Sequence, residues 1–539
     1  MAIKKLVNLD ALIPRQDLET RAPGAIGQSG GGGVPVSELE AGKLHYRLLR
    51  KPDFQRETDD WDIDNVVTLI KSHRDSHLIP AIIMWRAEQG YTFVIDGAHR
   101  LSAFIAWVND DYGDREISRK FFNHKIPKQQ EDIAAECRAR IASEVGTYSD
   151  LSKLDANNPS PERVKWASNI SKSIVTQWVE GDASHAEKSF IAINQRSIPI
   201  NETEKYMILA RHKPNVISAR ALIRCGTGHE YWSKFPANIK EEITTNAKKI
   251  YDVLFEPENA EILKTIEMPI AGKHYSADAL RLTLEIVNFS NDWKTKAAIE
   301  AIEDEEEIQA TAGTKTVGCL DRTFGVVKYL SGSNPASLGL HPAVYFWGAT
   351  GKHQPAAFLA TISFLQYLIA NNKLVDFCKH RAYFEEFLIN RASVVKHILG
   401  AYGGWKKSAP TVFEMYKDIL DAFMQGKNEE EIEAMLTSNP KFGGLAELIE
   451  LERNPGARPT REVKAAVRRR ELLKSSMRCK ICWARLPSTS ISDDHTQKKQ
   501  VGGKGSEENM EVSHHFCNHG FKEHLLSHDE PLPQKPSFA

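Results

Sequence analysis

Residues 479–524 read CKICWARLPSTSISDDHTQKKQVGGKGSEENMEVSHHFCNHGFKEH and hold three of the seven cysteines in the chain. Cys479 and Cys482 form a Cys-x-x-Cys knuckle, and His514 with Cys517 forms a His-x-x-Cys knuckle near the end of the stretch. Two such pairs close a tetrahedral zinc site, because thiolates and imidazoles are the ligands that this ion prefers. His515 and His519 stand close enough in sequence to take the place of His514.

Between the knuckles lie Asp494-His495, Gly502-Gly503 and Asn509, and Asn518 directly follows the last cysteine. That order resembles the HNH nuclease family, whose ββα-metal fold carries an acidic residue or His before a His, a Gly-Gly turn, an Asn, and a closing Asn or His. Phosphodiester hydrolysis needs a base to take a proton from water and a cation to stabilise charge on the phosphate. The resemblance implies that His495 is the base and that Asp494 and Asn518 hold a catalytic Mg2+ or Mn2+ through oxygen. It implies that Asn509 orients the base from the facing strand, with structural Zn2+ on Cys479, Cys482, His514 and Cys517. One departure is His514, where many members have a cysteine. A structural zinc knuckle without catalysis is the competing reading, but it has no use for Asp494, His495, Asn509 and Asn518.

At 539 residues the chain is long enough for several domains. A net charge of -1 excludes a global field that draws the protein onto nucleic acid, so any contact with DNA rests on a local basic patch. Such a patch runs from Arg458 to Lys480, opposite in sign to the acidic run Glu303 to Glu307. The N-terminus lacks the apolar core of a signal peptide, and the stretch from Phe358 to Ala370 is too short to span a bilayer, so the expectation is a cytoplasmic protein without a membrane partner. Cys137, Cys225, Cys319 and Cys378 are scattered, as reduced core thiols are.

Residues 22–35 form a Gly-rich loop, but no Gly-Lys-Ser/Thr follows, which excludes a Walker A phosphate cradle. Ile63, Val66, Val67 and Ile70 recur at helical spacing behind a cap at Asp62 or Asp64. LIPAIIMWR and YTFVI read as strands on either side of a turn at Glu88-Gln89-Gly90. The second ends in Asp96-Gly97-Ala98-His99-Arg100, after which Leu101, Phe104, Ile105 and Val108 restart a helix. A strand–Gly turn–helix junction is a good anion site, since free N–H groups and the helix dipole face the ligand and an Arg can grip phosphate.

Pro52-Asp53-Phe54-Gln55-Arg56 with Trp61, then Ile95 to Leu101, then Phe190 to Arg196 with Ile198-Pro199-Ile200, is similar to the ParB/sulfiredoxin-like superfamily. The closest likeness is to the branch with a DGQ(Q/H)R signature, found in GmrSD-type and SspE-type modification-dependent restriction proteins and in DndB. Over roughly residues 40–210 the resemblance implies a site for a nucleoside triphosphate, with Gln55, Arg56, Asp96, Gly97, His99 and Arg100 in it and Asn194 at its rim. Ala98 stands where sulfiredoxins carry their nucleophilic Cys, which excludes that chemistry, and where the branch carries Gln, which sets hydrolysis apart from binding. The competing reading is a self-satisfied loop, with Asp96 capping the helix and Arg100 paired to a carboxylate.

RVKWASNISKSIVTQWV, ADALRLTLEIVNF, AAFLATISFLQYLIANN and TVFEMYKDILDAFM all show apolar residues at i, i+3 and i+4. Trp166, Trp178, Phe358, Phe364 and Tyr367 read as core aromatics rather than a base-stacking platform. Pro and Gly mark 436–459 as a linker, after which Thr460 caps a basic helix whose Arg461, Lys464, Arg468 and Lys474 suit DNA phosphates, with Val463, Ala466, Val467 and Leu473 toward protein. The expected architecture is therefore an α+β multidomain chain. It has a ParB/sulfiredoxin-like α/β domain at 1–210 that binds a nucleotide or senses DNA, a helical domain at 211–435, a linker at 436–459, and an HNH module with zinc knuckles at 460–539. The expected function is a DNA endonuclease, gated by its N-terminal domain and acting on modified or plain DNA in antiviral restriction. Alternatives are a ParB/DndB-like DNA-binding regulator with a non-catalytic zinc module, and an RNA-cleaving nuclease.

Overall fold

The computed structural model describes residues 5–18, 32–53, 55, 58, 61–124, 126–153, 160–194, 202–225, 229–256, 268–272, 279–306, 311–400, 403–453, 456, 458–497 and 502–539. The chain divides into two compact units, Met1–Arg211 with Thr227–Tyr231 and His212–Gly226 with Trp232–Ala539.

The first unit contains, in order, β1 (Arg15–Gln16), β2 (Leu49–Pro52), α1 (Ile63–Arg74), β3 (Ile82–Arg86), β4 (Thr92–Asp96), α2 (Ala98–Asn109), α3 (Lys128–Glu144), β5 (Thr176–Trp178) and α4 (Ala183–Asn194). The strands form one mixed sheet in the order β1-β2-β4-β3-β5, in which the β3/β4 pair is antiparallel and the others parallel. Successive side chains on a strand point to opposite faces, so one sheet can carry two cores. Met84 and Val94 join Val66, Val67 and Ile70 of α1 and Leu101, Phe104 and Ile105 of α2. Trp85, Phe93 and Ile95 turn the other way, onto Ala183, Ala186 and Phe190 of α4. Asp62 caps α1, its carboxylate accepting the Asn65 N–H at 3.0 Å.

One segment departs from the helical reading of residues 163–179. The helix Pro161–Ile170 stops, and Thr176–Trp178 adds to the sheet edge parallel to β3. Ile174, Val175 and Thr176 are three β-branched residues in a row, which lose side-chain freedom in a helix and fit a pleated strand. Within the Gly-rich loop, residues 22–31 lie outside the described residues, and Val34–Pro35 pairs antiparallel with Ser173–Ile174.

The second unit is built on α5 (Pro214–Ile223), α6 (Ala237–Phe255), α7 (Ala279–Ser290), α8 (Thr314–Val327), α9 (Pro355–Ala370), α10 (Leu374–Asn390), α11 (Trp405–Met424) and α12 (Arg461–Lys474). α5 packs on α7, α6 on α8, and α9 and α10 on α11. Phe364 of α9 stacks on Phe384 of α10 at 5.8 Å, and Tyr416 of α11 meets Phe364 edge-on, so these rings serve the core. The segment 436–459 holds the short helix Leu445–Arg453, with Phe442 and Leu445 buried in the same unit. His341 is also buried, its Nδ1 accepting the Ala343 N–H at 3.2 Å to cap the turn Pro342–Tyr345. The antiparallel pair β6 (Ile491–His495) and β7 (Met510–His514) completes the unit near its C-terminus. Among the described residues no helix is long and apolar enough to cross a membrane.

Candidate functional site

The Cys-x-x-Cys knuckle closes because the Cys479 N–H donates to Ala484 O and the Trp483 N–H to Cys479 O, both at 2.9 Å, with Trp483 in the left-handed region at φ 62°. Backbone N–H groups of Ile481 and His514 point at Cys479 Sγ from 3.4 and 3.5 Å. The β6/β7 register pairs Ile491 with His514, and the helix that follows supplies Cys517. Cys479, Cys482, His514 and Cys517 are thereby gathered, all buried, with their ligand atoms within 4.8 Å of one another. A tetrahedral ion with ordinary Zn–S and Zn–N bonds would hold sulfur and nitrogen about 3.6 Å apart. His514 Nδ1 lies 3.4 Å from Cys482 Sγ and 3.6 Å from Cys517 Sγ, so the residues present fit the ion. The other ring nitrogen, Nε2, faces Arg485 O at 3.0 Å and must carry the proton, which leaves Nδ1 free to ligate. His515 and His519 stay outside this cluster.

Burial disfavours a charged Cys479 thiolate, but hydrogen bonds from Cys482 and Cys517 and the nearby His514 outweigh it, and its pKa falls well below the ordinary thiol value. Burial pushes Cys482 and Cys517 up, the latter helped by a hydrogen bond with the Cys378 thiol. Thiols sharing one charge become separate thiolates only when a cation joins them. Cys378 of α10, one of the scattered cysteines expected to be reduced core thiols, is free and buried and is a neighbour of the cluster.

The cluster is braced by a buried network that no sequence motif announces. Glu385 accepts from the Arg485 N–H and from Arg381 Nε, each at 2.8 Å, and from the Tyr345 hydroxyl at 3.2 Å. Arg485 also pairs with Glu386 at 2.7 Å, and Arg381 donates to the carbonyls of Leu338 and Gly339. Gly339 sits at φ +54°, and a Cβ there would lie 2.9 Å from the His514 ring.

After β7 the chain passes through a π-turn, Cys517–Phe521, into α13 (Lys522–Ser527), giving a strand–strand–helix order. Asp494 and His495 end β6, half-buried. Asn518 in the π-turn donates to Ser492 Oγ at 3.0 Å and reaches Asp493 O at 3.4 Å, so its amide faces β6 one or two residues before Asp494. Asn509 clamps the loop that leaves His495: its Oδ1 accepts the Gln497 N–H at 2.7 Å, and its Nδ2 donates to Gln497 O at 3.1 Å and Lys504 O at 2.7 Å. Asp494 is not alone, because Lys522 Nζ lies 2.7 Å from its Oδ2.

On α12, capped by Thr460 at 3.2 Å from the Val463 N–H, Arg461, Lys464 and Arg468 are exposed along one stripe. Lys474 is exposed but lies about a third of a turn away at about 100° per residue, paired with Glu471 at 2.8 Å. The charge run also hides an inward member. Arg469 donates to Ala343 O at 3.2 Å and Leu388 O at 3.4 Å, and burial lowers its pKa to about 10, while Val467 faces solvent.

In the first unit Asp96, Gly97, His99 and Arg100 meet at the β4–α2 junction. Gly97 adopts φ +91°, which only glycine takes without strain. Arg100 pairs with Asp96 at 2.7 Å and donates to Ala81 O at 3.2 Å, while its Nε is buried without a hydrogen-bond partner. His99 stacks on Trp61 at 5.7 Å. Gln55 is buried, its carbonyl accepting from Arg15 and its side-chain oxygen without a partner. Arg56 and the side chain of Asn194 lie outside the described residues.

The chain thus combines an α/β unit with a glycine-turned strand–helix junction and a second unit whose buried Cys3His cluster beside a strand–strand–helix could hold a metal ion. Residues 38–211 match the family model described as GmrSD restriction endonuclease, N-terminal domain, the same stretch in which the motifs at Gln55 and Asp96–Arg100 fall. No curated protein and no solved structure matches the chain.

Proposed function

We propose that this protein is a DNA endonuclease of the modification-dependent restriction type, in which the N-terminal unit senses a nucleotide or a DNA feature and the module around β6, β7 and α13 cuts. The observation that carries the reading is the placement of Asp494 and His495 on one strand, with Asn518 on the helix that follows. The N-terminal family match supports the restriction context independently.

His495 stands at the strand end, where the Asn509 clamp fixes the backbone behind it, and takes the proton from the attacking water. Asp494 and Asn518 offer the hard oxygen ligands that suit Mg2+ or Mn2+, which when bound supplies positive charge against the phosphate. Arg461, Lys464 and Arg468 hold the DNA backbone, a contact that weakens steeply with salt and reads no sequence. Recognition therefore falls to the N-terminal unit, where the β4–α2 turn presents N–H groups and Arg100 to a phosphate.

The test is plasmid nicking with Mg2+ or Mn2+, with modified and plain DNA and with each nucleoside triphosphate. His495→Ala should abolish nicking, a loss of at least about a hundredfold for a general base, while the zinc content stays unchanged. Equal nicking by that variant removes the catalytic assignment of His495, and no nicking by the unaltered chain leaves the DNA-binding regulator as the reading. Cleavage of RNA in place of DNA would reassign the substrate.

A further inference from the structure

Lys522 appears in none of the roles above, yet it occupies the centre of the proposed cutting site. Its Nζ lies 2.7 Å from Asp494 Oδ2 and 3.5 Å from His495 O, and both side chains of the pair are only 13% exposed. The π-turn sets this position. Its five-residue bond runs from the Lys522 N–H to Cys517 O, and residues four apart in it stay on one face, so Asn518 and Lys522 both address β6. Single π-turns of this kind recur at functional sites because they re-aim side chains without breaking the helix.

We propose that Lys522 is a built-in counter-ion that competes with the divalent ion for Asp494 and is drawn off by the phosphate backbone of bound DNA. The inference rests on the endonuclease reading and deepens it. A carboxylate oxygen that accepts an ammonium at hydrogen-bond distance cannot also bond a divalent ion without bringing two cations into contact. The lysine must swing away before Oδ2 can ligate, and while it stays its positive charge opposes an ion on the other oxygen of Asp494. Its flexible four-carbon stem permits the swing, and an arriving phosphate offers an equivalent anion. Metal and DNA then help each other to bind, since each takes one member of the same ion pair, and that help is reciprocal. Without DNA the pair stays closed, and the cutting site remains short of its ion.

The zinc-loaded full chain, carrying His495→Ala so that DNA survives, is titrated with Mn2+ while free Mn2+ is read by electron paramagnetic resonance. Lys522→Met should bind Mn2+ about tenfold more tightly than Lys522 in the absence of DNA. Duplex DNA should tighten Mn2+ binding to the Lys522 protein and leave the methionine variant unchanged. Lys522→Arg, which keeps the charge, should behave as Lys522 does, and zinc content and circular dichroism show that each variant is folded. Equal or weaker Mn2+ binding by the methionine variant, with Asp494→Asn still losing the ion, overturns the counter-ion role alone. No saturable binding that depends on Asp494 in any variant overturns the metal-site reading, and the counter-ion role falls with it.

Discussion

Glu385 has no exposed surface and serves two arginines at once, the Arg381 guanidinium and the Arg485 backbone N–H. Burial alone would raise its pKa, but Arg381 and Arg485 lower it, so the carboxylate stays charged in the core. Removing one partner of a buried ion pair strands the other. Glu385→Gln should therefore cost about 3–5 kcal/mol of unfolding free energy, read from the urea midpoint. Gly339→Ala should act through the same network with a different signature: the added methyl meets the His514 ring, so zinc retention against a chelator falls more than the melting temperature does. His353 gives a pH prediction. It meets Trp347 edge-on, faces Ile270 O at 2.9 Å, and burial depresses its pKa from 6.5 to about 4. The unfolded chain binds the proton below pH 6.5 and the folded one only near 4. Stability should thus fall as pH drops through that window, by about 1.4 kcal/mol per unit at most for this group. His353→Gln should flatten the slope in denaturant titrations at pH 7, 5.5 and 4.5; an unchanged slope would show that His353 is not its source.

At the scale of elements, the β4–α2 turn ties its conformation to its charge. A Cβ on Gly97 would lie 2.9 Å from the Arg100 guanidinium, in a backbone region that already strains any other residue. Gly97→Ala and Arg100→Ala should both abolish binding of a fluorescent nucleotide, the first by moving the arginine and the second by deleting it. An unchanged isotherm in Arg100→Ala removes the nucleotide site. Elements with long, regular patterns were legible in the sequence: α1, α2, α9 and α11 follow their apolar spacing, and Cys479, Cys482, His514 and Cys517 follow ligand spacing. What escaped has a specific cause in each case. β5 has three residues, too few for a period, and follows the helix Pro161–Ile170 within a few residues. The inward turn of Arg469 depends on the carbonyls of Ala343 and Leu388, more than 80 residues away in sequence. The π-turn inserts a residue into a helix, and its lone Gly520 does not distinguish it from an ordinary helix or loop, so Lys522 could not be aligned with Asp494 from spacing alone.

At the scale of the molecule, the Cys3His cluster belongs to the second unit's core rather than to a detachable finger. His514 is fixed by Arg485, Arg485 by Glu385 and Glu386 of α10, and Ser490 by the backbone of Gly332 at 2.6 Å. The Phe516 N–H bonds Ser337 O at 2.9 Å. Folding free energy contributed by a structural ion is shared by whatever its ligands touch, so its removal should be felt throughout His212–Gly226 and Trp232–Ala539. The first unit has its own sheet and its own two cores, and holds none of the four ligands. Calorimetry of the full chain should therefore show two transitions. A strong zinc chelator should lower one by at least several degrees and leave the other in place, and added Zn2+ should restore it. Assignment follows from the variants: Phe104→Ala, which opens a cavity under the sheet at a cost of about 3–5 kcal/mol, should shift only the chelator-insensitive transition. A chelator that abolishes nicking without moving either transition would instead place the essential ion at Asp494, because a catalytic ion held by few protein ligands contributes little to folding, whereas a buried Cys3His ion cannot leave without loosening the core around it.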